Sequence, residues 1–262
     1  MTDKYGYPSI VLGLMTGLVL LLPVVGPPSI AEAQDPDSSQ DASDQEGQTF
    51  PPEDRIDPPP SDLKPSEVPD KLKEHDYVYK VDYVLDGDSI RLENEKELRL
   101  IGVDAPEKGQ RFADAARSAV RSLIPERAIV AVDLDRKWWD RYGRLLGYVY
   151  TIKRVPDQKP QKVLINERLV KRGLAQTYFH QKNTAFIERL IEAQRTAIRK
   201  ERRLFAQIEE SADQYFRVKN HFRFHRPNCK YVRDIPDKYL IKYPVKREAL
   251  WDGCSSASCC QP

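Results

Sequence analysis

Three short segments of the chain combine carboxylates with arginines in a way that suits chemistry on a phosphate group. They are residues 86–89 (DGDS), 99–107 (RLIGVDAPE) and 140–144 (DRYGR). Two carboxylates that are brought close together repel each other unless a cation joins them. Oxygen ligands with no His or Cys nearby select Ca²⁺ or Mg²⁺ over Zn²⁺. Asp88 and Asp104 are therefore the candidate ligands of a hard divalent cation.

The same segments supply the other groups that cleavage of a phosphodiester needs, which are a base or water-positioning group and cationic donors for the transition state. Glu107 follows Asp104 by three residues, beyond a proline, so its carboxylate can face a water beside the cation. Arg99 and Arg144 can each offer two parallel N–H donors to phosphate oxygens. Each segment alone also fits an ordinary turn, and only their joint occurrence in one small β-rich domain favours the catalytic interpretation.

The elements that must position these residues follow from the hydrophobic pattern. Alternating and β-branched runs predict five strands, over residues 77–85, 89–92, 98–103, 128–134 and 145–152. Apolar residues at helical spacing predict three helices, over residues 111–123, 163–172 and 185–205. This order predicts a β-rich α+β fold, in which a five-stranded OB-fold barrel (the oligonucleotide-binding type) has three helices packed against it.

Taken together, the three segments resemble the signature segments of the staphylococcal nuclease (thermonuclease) family, and residues 166–175 resemble its second-helix segment. The resemblance covers about residues 76–207. It implies that Asp88, Asp104 and the backbone carbonyl of Ala105 hold Ca²⁺. It also implies that Asp86 holds these ligands in position without itself contacting the cation.

The resemblance implies the roles of the remaining catalytic residues as well. Arg99 and Arg144 would contact the phosphate and its transition state. Glu107 would act as general base or as the group that orients the attacking water. The family cleaves DNA and RNA by attack of water on phosphorus, which releases the 5′ oxygen and leaves 3′-phosphate ends.

The part of the chain that contains these segments is basic. The whole chain carries a net charge of +2 and residues 1–70 contribute −10, so residues 71–262 carry +12. A basic domain suits a polyanionic partner. The resemblance further places Tyr142 and Tyr178 where the family's nucleotide-contacting tyrosines are expected, and we group Arg141 with them as a predicted contact to DNA or RNA.

All four cysteines lie in the last 34 residues, and residues 211–262 are predicted to form a small Cys/His module. Residues 215–262 resemble the zinc module at the front of the bacterial DNA phosphotriester repair protein. Tetrahedral N/S ligation suits a structural Zn²⁺, whereas an exported chain can form two disulfides instead. Zinc, disulfides and free thiols all remain open. The candidate residues are His225, Cys229, Cys254, Cys259 and Cys260.

The beginning of the chain predicts export. Residues 6–30 carry no charge and include a dense apolar run, and Ala31 and Ala33 are the small residues that a signal peptidase reads. We expect a signal peptide over residues 1–33, cleaved after Ala33, and a secreted or periplasmic product. An uncleaved membrane anchor that faces outside is the alternative. Residues 34–74 are acidic and rich in Pro and Ser, which predicts a disordered linker.

The sequence therefore predicts a secreted, calcium-dependent nuclease whose catalytic domain covers residues 75–210. DNA or RNA is the expected substrate and a monomer is the expected state, with no stable membrane partner if the signal is cleaved. One alternative is a catalytically inactive OB-fold module on the cell envelope that binds nucleic acid or a partner. Such a module would be expected to lack part of the catalytic set, and none is missing here. A structural envelope protein, anchored by its N-terminus, is a second alternative.

Overall fold

The computed structural model describes residues 63–64, 66–75, 77–153, 156, 159–179 and 183–257. The predicted signal peptide, the predicted linker up to residue 62, Cys259 and Cys260 lie outside these described residues. In the described ranges, no helix combines the length and the apolar character that crossing a bilayer requires.

The first part of the described chain is built on eight strands. In chain order they are β1 (Tyr77–Val84), β2 (Ser89–Leu92), β3 (Glu97–Leu100), β4 (Gly102–Asp104), β5 (Ile129–Asp133), β6 (Leu145–Lys153), β7 (Gln161–Leu164) and β8 (Gln176–Tyr178). The main sheet has the order β3-β2-β1-β5-β6-β7, and a parallel pairing of β3 with β6 closes five of these strands into a barrel. The predicted five-stranded barrel is confirmed.

Three helices accompany the barrel, as predicted. They are α1 (Ala113–Leu123), α2 (Ile165–Lys171) and α3 (Ile187–Arg199). The apolar residues of α1 recur every three or four positions, so they share one face, which packs against the barrel core. The buried members of that face are Ala113, Ala116, Ala119, Val120 and Leu123.

Two helix boundaries differ from the prediction because the backbone leaves the right-handed helical region. α1 begins only after Phe112, whose φ of 71° is left-handed and incompatible with a right-handed helix. α3 ends at Arg199 rather than at Phe205, because Glu201 and Arg203 also take positive φ angles. A short 3₁₀ turn follows.

One strand prediction and the start of one more helix were also wrong in part. The single strand predicted over residues 98–103 is two strands, because the chain turns at Gly102 (φ of 72°) and β4 leaves the barrel to pair with β8. The helix predicted from residue 163 starts later, at Ile165, because residues 163–164 belong to β7 and pair with β6. The turn at Gly102 matters for the site, since it directs Asp104 away from the barrel wall.

The C-terminal part forms a second sheet, and we call residues 211–257 the C-terminal module. Its strands are β9 (Tyr215–Val218), β10 (Arg223–His225), β11 (Leu240–Tyr243) and β12 (Ser255–Ser256), in the order β11-β9-β10-β12, with helix α4 (Lys246–Trp251). Ala197 and Ile198 of α3 belong to the same apolar core as Phe224 and Leu250 of this module. The C-terminal module is therefore packed onto α3.

A buried glutamine on α3 joins the two sheets by hydrogen bonds. The side-chain oxygen of Gln194 accepts from the backbone N–H of Thr177 at 2.8 Å. Its amide donates to the carbonyl oxygens of Leu250 at 2.6 Å and Cys254 at 3.3 Å. The hydroxyl of Thr177 in turn donates to the carbonyl of Gly253 at 2.9 Å. These bonds fix the C-terminal module beside β8.

We expect Gln194→Ala to lower the free energy of unfolding by about 3 kcal/mol, because it leaves several buried polar groups without partners. Urea denaturation followed by circular dichroism measures the change. Gln207→Ala, at an exposed position after α3, is the matched control and should change stability by less than about 0.5 kcal/mol. Equal stability of the two variants would contradict the joining role of Gln194.

Candidate active site

The first segment folds into a tight turn that precedes β2. Asp86 Oδ1 accepts hydrogen bonds from the backbone N–H groups of Asp88 at 2.9 Å and Ser89 at 2.7 Å. A short acidic side chain commonly closes a turn in this way. Gly87 permits close packing, because a Cβ at this position would lie 2.6 Å from the Cβ of Ala105. Asp86 therefore shapes the loop that presents Asp88.

Asp88 is buried at the centre of the site, with 6% of its surface exposed. Its Oδ2 accepts the backbone N–H of Ala105 at 2.7 Å, and the hydroxyl of Ser89 donates to its Oδ1 at 3.1 Å. Arg99 Nη1 lies 2.5 Å from Oδ2 and forms an ion pair with Asp88. Arg99 reaches this position because it stands opposite Ser89 in the β2–β3 ladder.

Asp104, the last residue of β4, brings a second carboxylate to the same place. Its Oδ1 lies 3.8 Å from Arg99 Nη2, so one guanidinium group contacts both Asp88 and Asp104. Its Oδ2 accepts a hydrogen bond from Nη1 of Arg223 at 2.8 Å. The predicted pair of carboxylates is therefore brought together, and Arg223 joins it without having been indicated by any sequence motif.

The charges around Asp88 balance only in part. Burial raises the pKa of Asp88 to about 7; Arg99 opposes this rise, whereas the neighbouring carboxylates of Asp86 and Asp104 add to it. Burial by itself would lower the pKa of the Arg99 guanidinium, but the same three carboxylates hold it above its ordinary value. A further cation beside Asp88 would favour the ionised carboxylate.

The third segment is a turn that holds Arg144 in place. Asp140 Oδ1 accepts the backbone N–H groups of Tyr142 and Arg144, both at 2.9 Å, and Oδ2 accepts the Nε–H of Arg144 at 2.6 Å. Gly143 takes the left-handed φ of 74° that this turn requires. The two terminal nitrogens of Arg144 make no hydrogen bond to the described residues, so they can meet a phosphate.

Arg99 and Arg144 lie on neighbouring segments of the barrel. In the parallel β3–β6 ladder, Arg99 is level with Leu146, and Arg144 lies in the turn immediately before β6. Their sequence neighbours Leu98 and Leu145 are level with each other and fully buried. The ladder therefore brings the backbones of the two arginines near each other.

Glu107 follows β4 across Pro106 and lies at the surface. Its backbone N–H donates to the side-chain oxygen of Gln110 at 2.9 Å, which orders the start of the loop. Among the described residues, the carboxylate of Glu107 has no hydrogen bond or ion pair. This carboxylate, three residues after Asp104, is therefore not tied to another side chain of the described residues.

The predicted nucleotide-contacting tyrosines have different surroundings. Tyr142 is 54% exposed, and the guanidinium carbons of Arg141 and Arg144 lie 4.9 and 5.2 Å from its ring centroid. Arg141 Nη2 also donates to the Tyr142 hydroxyl at 2.7 Å. An exposed ring between two cations suits a base and its phosphate. The ring of Tyr178 lies 4.1 Å from the guanidinium carbon of Arg223.

Comparison with known proteins identifies the family of this chain. Residues 97–207 match the family model described as staphylococcal nuclease homologue. The thermonuclease of Staphylococcus hyicus is 33% identical over 136 residues, which cover 47% of this chain and 72% of that protein. The chain belongs to the staphylococcal nuclease family.

Two further relatives match shorter segments. Protein ParB of Escherichia coli is 37% identical over 101 residues, or 37% of this chain. The micrococcal nuclease of Shigella flexneri is 37% identical over 98 residues, or 36% of this chain. In both cases the match spans 55% of the relative, which is about half of its length. The predicted family is confirmed, and the predicted enzyme class, a nuclease, is that of the family.

Two residues of this staphylococcal nuclease site had no predicted role. Asp140 belonged to the third segment, and an Asp that opens a turn before a glycine is a usable signal for a residue that positions Arg144. Arg223 is separated from Asp104 by 119 residues. No local spacing can indicate such a contact, which depends on how the C-terminal module packs.

The predicted C-terminal ligands are only partly brought together in this nuclease-family chain. His225 Nδ1 lies 3.3 Å from Cys229 Sγ, so these two residues form a pair. Cys254 lies in an apolar core, and burial raises the pKa of its thiol to about 11. In the described part of the chain, no three His, Cys, Asp or Glu side chains converge as metal ligands. Zinc and disulfides stay predictions, because Cys259 and Cys260 lie outside that part.

The raised pKa of Asp88 predicts that, in chelator, the free energy of unfolding falls as the pH rises. Folded Asp88 keeps its proton to a higher pH than unfolded Asp88 does. Its contribution to stability is therefore present below about pH 4 and is lost as the pH rises to about 7. Asp88→Asn has no proton to lose, so its free energy of unfolding relative to wild type should improve by on the order of 3 kcal/mol between pH 4 and pH 8.

Urea denaturation in EDTA at several pH values measures this difference. Asp114→Asn, at an exposed position on α1, is the matched control and should follow the wild-type curve. Parallel curves for Asp88→Asn and wild type would show that Asp88 does not titrate as stated.

Proposed function

We propose that the chain hydrolyses phosphodiester bonds of DNA, RNA or both, with Ca²⁺ as cofactor and 3′-phosphate ends as products. The observation that carries this proposal is the convergence of Asp88 and Asp104 on the guanidinium group of Arg99. Asp86 adds a third carboxylate beside Asp88. Although Arg223 also pairs with Asp104, the three carboxylates outnumber the two guanidinium groups by one. This excess of negative charge favours a further cation, and the family supports the same chemistry.

The donor set fits a hard divalent cation. Asp88 and Asp104 supply carboxylate oxygens, and Ala105, whose N–H is bonded to Asp88, can supply its carbonyl oxygen. These are all oxygen donors, and Ca²⁺ tolerates a mixed set of carboxylates and carbonyls better than Mg²⁺, which demands near-octahedral geometry. When bound, the cation stabilises the negative charge that develops on the phosphate.

The residues of the chain supply the remaining steps. Glu107, with its unengaged carboxylate, orients a water molecule or accepts its proton as the water oxygen bonds to phosphorus. Arg99 and Arg144 donate to the phosphate oxygens whose charge grows in the transition state. The bond from phosphorus to the 5′ oxygen breaks, and that oxygen takes up a proton, which leaves a 3′-phosphate and a 5′-hydroxyl.

Charge and aromatic exposure support a nucleic-acid substrate. Residues 71–262 carry +12, which favours a polyanion. The exposed ring of Tyr142, beside Arg141, can stack on a base while the arginine meets a phosphate. Tyr178 is a second proposed contact, because its ring lies 4.1 Å from the guanidinium carbon of Arg223, whose side chain bonds to Asp104.

The place of action is proposed from the N-terminal sequence. Residues 1–33 support export with cleavage after Ala33, and an outward-facing anchor is the alternative. A monomer is the proposed state. The nuclease domain contains no cysteine, so its fold is compatible with an oxidising compartment. The His225–Cys229 pair supports a structural Zn²⁺ in the C-terminal module as a further proposal.

A catalytically inactive binding module is the second candidate function. The presence of all five residues of the proposed catalytic set argues against it, because inactive relatives would be expected to lack some of them. These residues are Asp88, Asp104, Glu107, Arg99 and Arg144. The open terminal nitrogens of Arg144 likewise suit a group that meets the transition state.

The purified full-length chain is expected to cleave single-stranded DNA, duplex DNA or RNA in CaCl₂ and to lose this activity in EGTA, since the cation bears part of the transition-state charge. MgCl₂ tests the choice of metal. Extension of the products by a polymerase only after phosphatase treatment would identify 3′-phosphate ends. Equal cleavage in CaCl₂ and in chelator would reject the metal assignment, and binding without cleavage would support the binding module.

Glu107→Ala and Arg144→Ala should each lower kcat at least about 100-fold, the usual loss for a missing base or transition-state donor. Steady-state kinetics on a fluorescent oligonucleotide in CaCl₂ measures the loss. Glu126→Ala and Arg121→Ala remove the same side-chain types at exposed positions outside the site, and we expect both to keep wild-type rates. Wild-type kcat in either catalytic variant would refute the role given to that residue.

A further inference from the structure

The C-terminal module inserts an arginine into the proposed metal site. Arg223 is the first residue of β10, and its side chain is 9% exposed. Its Nη1 donates to Asp104 Oδ2 at 2.8 Å, to the hydroxyl of Ser255 at 3.1 Å and to the carbonyl of Ser256 at 2.9 Å. Its guanidinium carbon also lies over the ring of Tyr178. The guanidinium group is therefore held between the two sheets.

The elements that hold Arg223 and Asp104 are joined to each other. Strand β4, which ends at Asp104, pairs with β8, so Asp104 is level with Gln176. The side-chain oxygen of Gln176 accepts the backbone N–H of Ser256 at 3.3 Å. β12, which contains Ser256, pairs with β10 in parallel, with Arg223 level with Ser255. Sheet register therefore brings the strands of Arg223 and Asp104 together, and the side chain of Arg223 completes the contact.

The charge of the site depends on this arginine. The carboxylates of Asp86, Asp88 and Asp104 face the two guanidinium groups of Arg99 and Arg223. With all five groups ionised, one negative charge remains unbalanced. Without Arg223 two would remain, which is the charge that a divalent cation neutralises in full.

We propose that Arg223 is a positioning residue and a fixed counter-charge for Asp104, through which the C-terminal module sets the affinity of the site for its divalent cation. Its hydrogen bond holds Asp104 by Oδ2 and leaves Oδ1 directed towards Arg99 and Asp88. Its positive charge opposes a cation on the same carboxylate. This inference rests on the proposed metal site of the nuclease.

Titration of the full-length chain with CaCl₂ in a calorimeter, without nucleic acid, tests the proposal. We expect Arg223→Gln to bind Ca²⁺ about tenfold more tightly than wild type. The positive charge of Arg223 contacts Asp104 and repels a cation on the same carboxylate, and its removal should raise the affinity by at least that factor. Arg223→Lys keeps the charge and should stay closer to the wild-type affinity. The CaCl₂ concentration for half-maximal cleavage should fall in Arg223→Gln as well.

A gain in affinity separates this role from a structural one, since a loosened site would bind the cation more weakly. Unchanged or weaker Ca²⁺ binding in folded Arg223→Gln overturns the proposal. If circular dichroism shows that Arg223→Gln does not fold, Arg223→Met, which keeps an apolar stem over Tyr178, is titrated in its place under the same criteria. If the wild type binds Ca²⁺ and Arg223→Gln binds it with the same affinity, this inference alone is rejected. If the wild type does not bind Ca²⁺, the proposed metal site is rejected as well.

Discussion

The ion pairs of Arg99 with Asp88 and Asp104 determine how the barrel and the site depend on each other. A buried carboxylate is costly unless charge and hydrogen bonds compensate for its lost hydration. For Asp88 the compensation comes from the start of β2, from β3 and from the backbone after β4. These groups meet only when the ladders of the barrel have formed and the chain has turned at Gly102. Correct closure of the barrel and assembly of the site are therefore one event.

Most of the barrel and the site cluster was predictable because its determinants are local. Strand alternation, the turn after Asp86 and the arginine after Gly143 are all features of a few consecutive residues. The parts that were missed depend on non-local pairing. Strand β8 has three residues, and its extended form follows from its partner β4 rather than from any pattern of its own. The early end of α3 depends on positive φ angles that the helical periodicity does not reveal.

The C-terminal module shows a related difference between residue chemistry and packing. His225 and the cysteines of this module were the predicted ligands. Cys254, however, lies among apolar side chains, where a thiol behaves as a small hydrophobic group. Arg223 is the residue of this module that contacts Asp104 in the proposed active site, and no sequence motif indicated it. Its position results from the register of β10 with β12 and from the packing of the module on α3, and neither is encoded within a short window.

The imbalance of charge at Asp88 bears on what the site is for. A purely structural network is selected for stability, so its carboxylates and guanidinium groups should match and the carboxylate pKa values should fall below their usual range. Asp88 shows the opposite, because burial and two neighbouring carboxylates outweigh Arg99. The folded chain therefore tolerates a carboxylate that is difficult to ionise. Groups with strongly perturbed pKa values cluster at functional sites, and a divalent cation is the partner that would convert the cost of ionising Asp88 into binding affinity.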